Sequence, residues 1–348
     1  MAPSNRLSNP QMYTVGWIVA LDKELARAKA ILDEKHQKPE GFKKRPKDNN
    51  NYAWGSIGEH NIVIASLAAG RYGTVSAATT ACSMISSLQH LRFGLMVGIG
   101  AGIPRLEENI DIRLRDIVVS QPTGTSPGVV QYDLGKIRSR GKVERVGSLD
   151  ALPEVLLKGL ASLKANHLME ESRVPKILEA MIRRYPKMGE PGMGGATGFV
   201  YQGVHSNRLF EAPSIHHNPA SDGDAALTSF IPPKELKRKN RKSTNPMIHY
   251  GIIVSGNSVI NDGVSRDEIL QSLDDKCICF EMEAAGLLNN FPCLVIRGVC
   301  DYADEHKSDQ WQNYAAATAA AFAKELLEVM DGEDVERASP IEKTLKER

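Results

Sequence analysis

A chain of 348 residues, 42% hydrophobic and 24% charged, can bury a sizeable core as one large α/β domain with insertions. A formal net charge of +1 gives no general attraction to nucleic acid or to an anionic membrane. Five cysteines (Cys82, Cys277, Cys279, Cys293, Cys300) without a CxxC pair read as buried thiols of a reducing compartment, not as a disulfide frame or a zinc site. The polar start from Met1 to Gln11 and the short apolar runs predict no signal peptide, no membrane span and a cytoplasmic location.

Apolar runs alternate with helical patterns along the chain. Tyr13 to Leu21 reads as a first strand, and Lys23 to Glu34 follows with helical spacing. Asn61 to Leu67 is a second strand before a small-residue helix, Val75 to Leu91. Phe93 to Ile99 and Asp116 to Ser120 are further strands. Leu149 to Arg184 reads as one or two amphipathic helices. Glu190 to Asn245 is rich in Gly, Pro, Ser and His, contains the pair His216-His217, and ends in a basic run from Lys234 to Lys242. So long a stretch without a period is an excursion from the sheet, functional or mobile. His249 to Ser255, Lys276 to Phe280 and Pro292 to Cys300 are late strands, and Asn313 to Met330 is an Ala-rich closing helix. Strands this continuously apolar need cover on both faces, so the fold class is α/β, a three-layer αβα sandwich with a central mixed sheet. The predicted domain is 12–330, with an insertion at about 135–247, followed by a charged, frayed tail over 331–348.

Acidic residues stand where strands end. Glu24 follows the first strand, Glu281 and Glu283 follow KCICF, and Asp301 follows PCLVIRGVC, in which Arg297 flanks it. Ligands collect outside the carboxyl ends of strands in open α/β sheets, so carboxylates at three such ends are the arrangement of an active site. For Glu281 alone, complementing a helix dipole is the simpler explanation. Gly98-Ile99-Gly100-Ala101-Gly102 and Gly70-Arg71-Tyr72-Gly73 permit close backbone approach to an anion or sugar, or simply make tight turns. Ser255-Gly256-Asn257 followed by Asn261-Asp262-Gly263 marks a strand end that is either a binding segment or a turn with a helix cap.

Taken together, Val254 to Gly263, Glu281-Met282-Glu283-Ala284-Ala285 and Arg297-Gly298-Val299-Cys300-Asp301-Tyr302-Ala303-Asp304 resemble the nucleoside phosphorylase and nucleosidase superfamily. The branch they are most similar to contains the methylthioadenosine/S-adenosylhomocysteine nucleosidases. That resemblance implies roles. Asp301 serves N7 of a leaving purine, Glu283 accepts from the ribose 2′ and 3′ hydroxyls, and Met282 packs beneath the sugar. Val259 and Ile260 line the base pocket, Glu24 orients the attacking water, and Gly100, Ala101 and Gly102 form the loop near the nucleophile. Glu281 and Ser255 join the substrate-binding set. A neutral leaving purine needs a proton, which burial of Asp301 at an apolar strand end favours.

A carboxylate, Glu24, in the nucleophile pocket and a glycine loop without Ser or Thr favour water over phosphate. Arg71 and Arg105 are the counterweight. The chain also resembles phosphorylase-like domains of fungal and animal immune receptors, a group similar to bacterial effectors that split ATP into adenine and ribose-5′-triphosphate. ATP is therefore the leading substrate, with Arg71, Arg105, Arg115 or the 234–242 run supplying cations unless that run is a solvated loop. The rival readings are a methylthioadenosine or adenosylhomocysteine nucleosidase, a purine nucleoside phosphorylase, and a silent adenine-nucleotide sensor. No cofactor and no metal are implied. The expected partners are a small purine nucleoside or nucleotide and further copies of the chain; the basic run, lacking interleaved aromatics, does not indicate a nucleic-acid module.

Overall fold

The computed structural model describes residues 6–137, 143–192, 197–212, 234–273 and 276–347; the pair His216-His217 lies outside them. In chain order the strands and helices are β1 (Val15–Val19), α1 (Asp22–Ala30), β2 (Glu34–His36), β3 (Tyr52–Ile57), β4 (His60–Ser66), α2 (Thr74–Ser87), β5 (Phe93–Gly102) and β6 (Ile117–Ser120). There follow β7 (Val129–Gln131), β8 (Gly135–Ile137), β9 (Val143–Arg145), α3 (Glu154–Met169), α4 (Val174–Arg184), β10 (Ile248–Ser255), α5 (Gly263–Leu273) and β11 (Cys277–Glu281). Then come β12 (Cys293–Asp301), α6 (Gln312–Leu327), α7 (Gly332–Arg337) and α8 (Ile341–Lys346).

The main sheet runs β11-β10-β6-β12-β5-β1-β4-β3-β2, with β7 beside β10. It is mixed, as expected: β1, β4, β5 and β12 pair in parallel, whereas β12–β6 and β3–β4 are antiparallel. Every residue of β1 and β12 is buried, which fits strands with cover on both faces. The end of β5 also pairs antiparallel with β11, through Phe280↔Ala101 and Cys279↔Gly102, so the sheet curls back on itself. This closure converges the carboxyl ends of β5, β11 and β12 on one spot. The antiparallel pair β2 and β3 at the sheet edge is not among the expected strands; neither shows the period-two alternation of burial that marks a strand in sequence.

Two regions differ from expectation. The amphipathic helices expected over 149–184, inside the predicted insertion at about 135–247, belong to the core: Leu156, Leu160 and Leu163 of α3 and Val174, Leu178 and Met181 of α4 are buried in the main cluster against α6. The expected frayed tail instead forms α7 and α8. Asp331 caps α7 by accepting from the backbone N–H of Glu333 and Asp334 at 2.8 and 3.2 Å. Val335 and Ile341 then bury their side chains in the core, which fixes both short helices. No helix among the described residues is long and apolar enough to cross a membrane.

Candidate functional site

One cavity of about 420 Å³ opens where β1, β5, β11 and β12 end. Glu24, Glu283 and Asp301 all line it, each from a different strand end. Met282, Val259, Ile260, Gly100 and Ala101 line it as well. Its apolar wall is completed by Leu21, Tyr72, Phe280 and Ile99.

Glu24 sits in the first turn of α1 and folds back over the end of β1. Its Oε2 accepts from the backbone N–H of Ala20 and Leu21 at 2.8 and 2.9 Å, and its Oε1 from that of Ile99 at 2.8 Å. Reaching back to the residue before the helix is one half of a capping box, so α1 positions this acid by its own local logic. Burial pushes the Glu24 carboxyl above its usual range, opposed by Arg297 and by those three N–H groups.

Glu281 and Glu283 leave β11 in a turn that Glu281 itself holds. Its carboxylate accepts from the backbone N–H of Glu283 and Ala284, each at 3.1 Å, and pairs with Arg297. With its oxygens so engaged, Glu281 shapes the pocket floor and leaves the exposed chemistry to Glu283. Glu283 Oε2 lies 3.2 Å from Arg297 Nη2, and its Oε1 accepts from Gly73 N at 3.4 Å. Gly73 has φ +90°, and a Cβ there would meet Asn257 Oδ1 at 2.8 Å, so the close passage of this loop requires glycine. Burial, with Glu281 and Glu24 adding to it and Arg297 opposing, pushes the Glu283 carboxyl up to about 7.

Asp301 ends β12. Its Oδ1 accepts at 3.0 Å from the backbone N–H of Ala303, a residue held at φ +53°, and its Oδ2 lies 3.1 Å from Cys300 Sγ and 3.5 Å from Lys307 Nζ. Arg297, four residues earlier on the same strand, is only 1% exposed and stands between Glu281 and Glu283, with Glu24 close enough to raise its own basicity. A charged residue in the middle of a nine-residue apolar strand was the available signal for it.

Several expected ligand residues are placed elsewhere. Ser255 is fully buried and its Oγ accepts from Ala285 N at 2.9 Å, tying β10 to the Glu283 turn. Gly102 is inside β5, packed against Val299 and Ile112 away from the cavity. Gly98 to Gly102 is strand, not loop, and Gly100 is small because Cys279 Sγ and the Phe280 carbonyl of β11 would stand 2.7 and 2.8 Å from a Cβ. Arg71 is exposed on a separate depression. Arg105 donates to the Cys277 carbonyl and lies 3.7 Å from Glu108. Arg115 is buried, with Nη1 3.0 Å from the Tyr201 hydroxyl.

The basic run divides in two. Lys234, Lys237, Lys239 and Lys242 are exposed, but Arg241 makes a two-pronged pair with fully buried Asp116 at 2.6 and 2.7 Å. Arg238 donates to the Tyr302 hydroxyl at 2.9 Å and to Asn207. Buried acids need counter-charge, so these arginines anchor the back of the Asp301 loop instead of reaching a ligand. Among the described residues, the cations that do line the cavity are Lys23, Arg297 and Lys307, two of which carry no motif.

No protein-family model matches the chain. It is 43% identical over 325 residues to a nucleotide-binding leucine-rich repeat (NLR)-like protein of Hyaloscypha variabilis, a match that covers 91% of the chain. The chain spans only 29% of that relative's length. Among solved structures, a 5′-methylthioadenosine/S-adenosylhomocysteine nucleosidase of Neisseria meningitidis, in complex with methylthio-immucillin-A, superposes with a TM-score of 0.54 at 16% identity. That match covers 90% of this chain and 98% of the other. The Helicobacter pylori nucleosidase of the same name gives 0.55 at 15% identity, covering 91% and 98%. Futalosine hydrolase of Helicobacter pylori gives 0.54 at 14%, covering 92% and 99%. With its mixed sheet closing around the strand ends, the chain has the nucleoside phosphorylase/nucleosidase fold.

Proposed function

We propose that the chain hydrolyses the N-glycosidic bond of a purine nucleoside or nucleotide, with ATP, split into adenine and ribose-5′-triphosphate, as the leading substrate. The observation that carries this reading is the meeting of Glu24, Glu283 and Asp301 in one cavity, the two glutamates facing the buried Arg297 guanidinium and Asp301 lying 3.5 Å from Lys307. Asp301 gives a proton to N7, so that the base leaves neutral, and Glu283 holds the 2′ and 3′ hydroxyls as positive charge develops on the sugar. Met282 packs beneath the sugar and Val259 with Ile260 against the base. Glu24 orients water at the anomeric carbon and takes the proton the water loses as the C–O bond forms, in the manner of paired carboxylates in glycoside hydrolysis. A carboxylate fixed by three backbone donors repels inorganic phosphate, and neither Arg71 nor Arg105 lines the cavity to offset it. The likeness to an NLR-like protein supports a place for this activity in an immune-type response.

A 5′-thioether substrate is the second reading, favoured by Leu21, Tyr72 and Val259 in the lining. One assay separates them. ATP, adenosine and methylthioadenosine are incubated with the protein, with and without inorganic phosphate, and free adenine is measured by chromatography. The expected result is adenine from ATP in phosphate-free buffer. Release only with phosphate overturns hydrolysis, and release from adenosine or methylthioadenosine but not from ATP removes the ATP version.

The Glu283 carboxyl adds a pH dependence. Only its ionised form accepts hydrogen bonds from both sugar hydroxyls, and with its titration pushed up to about 7 it is largely protonated in mildly acid solution. Base release, read as kcat/KM, therefore rises as pH increases through about 7, and Glu283→Gln abolishes this limb. A wild-type profile flat across that range removes the carboxylate from the role given to it.

A further inference from the structure

We infer that Lys23, presented by Gln312, is the subsite that reads a phosphate on the ribose 5′ carbon, so that the substrates are 5′-phosphorylated nucleosides. This rests on the hydrolysis proposed above. The cations lining the cavity are differently committed. Arg297 is consumed by Glu281 and Glu283, and Lys307 lies 3.5 Å from Asp301. Lys23 is half-buried, and its ammonium donates to a neutral amide oxygen, Gln312 Oε1. The neighbouring Asp22 turns its Oδ1 to the backbone N–H of Lys23 at 2.8 Å instead of to the ammonium. A cation held in a cavity wall by a neutral partner is prepared for an anion that arrives with the ligand.

The position agrees with the layout of a nucleoside. The base is directed to Asp301 and the 2′ and 3′ hydroxyls to Glu283, while Glu24 covers the face attacked by water. The 5′ substituent then leaves toward the remaining polar lining, where Lys23 and Gln312 stand. These two residues open α1 and α6, so the positive ends of two helix dipoles adjoin this wall. The lysine is next to Glu24 in sequence, so the helix turn that holds the water-orienting acid also carries the phosphate contact. The arginines considered as phosphate ligands from sequence do not line this cavity, which leaves the task to a residue without a motif.

The test compares kcat/KM for AMP and ATP with that for adenosine in the wild-type protein, Lys23→Met and Lys23→Arg, with thermal unfolding as a control for folding. The wild type is expected to prefer the nucleotides. In Lys23→Met the nucleotide-to-nucleoside ratio falls about 10- to 100-fold, the worth of one hydrogen-bonded charge, and Lys23→Arg restores most of it. A wild type without preference, or a Met variant whose ratio is unchanged, overturns the subsite. Absence of adenine from every compound overturns the reaction instead. In that event the same ratio, read from calorimetric binding constants for the three compounds, decides the subsite.

Discussion

Replacing Asp301 by asparagine lowers the rate of base release by about 10²- to 10⁴-fold, the usual contribution of a general acid, and leaves the fold in place. The amide is isosteric with the carboxyl group and its oxygen can still accept from Ala303 N, the contact that shapes the end of β12. What it cannot do is hand a proton to a leaving purine. The loss therefore falls on kcat, while binding of a purine ligand, measured by calorimetry, changes far less. The size of the loss also depends on the leaving group. A substrate whose base departs readily without protonation suffers a smaller penalty, which separates proton donation from mere positioning. Turnover within a few-fold of the wild type would remove Asp301 from the mechanism. A variant that fails to bind purine at all would make it a binding residue only.

The acids at strand ends were legible because two independent regularities coincide there. Apolar runs locate the strands, and a carboxylate directly after a buried strand has little structural reason to be present. That logic places Glu24, Glu283 and Asp301 in one cavity; Met282, Val259 and Ile260, which line it too, follow only from the resemblance to the nucleosidases. It fails where a residue's partner is distant in sequence. Ser255 looks like a ligand hydroxyl, but its partner is the backbone of Ala285; Gly102 looks like a loop glycine, but Val299 and Ile112 fill the space beside it. Arg238 and Arg241 sit in a run that reads as solvated, and nothing local reveals that Asp116 and Tyr302 wait behind it. The tail misleads for the opposite reason. Val335 and Ile341 are isolated among charges, and two anchored side chains suffice because α7 is capped and Ile341 N bonds the Leu91 carbonyl at 2.8 Å. Lys23 was invisible as a site residue because a lysine at the start of a polar helix is ordinary until Gln312 is brought beside it.

Arg297→Met is expected to destabilise the fold by about 3–5 kcal/mol, the cost of stranding buried charges by removing their partner. Methionine fills much of the volume, so the loss is electrostatic: Glu281, Glu283 and Glu24 are left facing one another without the guanidinium. The effect carries a pH signature with a definite sign. The folded-state titration of Glu283 already lies at about 7, above its unfolded value, and loss of Arg297 raises it further. A group raised in this way contributes stability that is present at low pH and is lost as pH rises through the folded value. The gap between wild type and variant therefore widens with pH, because below that value Glu283 relieves the repulsion by taking up a proton. Urea unfolding at about pH 5.5 and about pH 8 reads this directly, with the larger deficit at the higher pH. Arg297→Lys keeps the charge but reaches the two carboxylates less well than a forked guanidinium, so it recovers part of the loss. A deficit equal at the two pH values would mean that Arg297 acts by packing, and the carboxylate cluster would then owe its arrangement to the backbone donors alone.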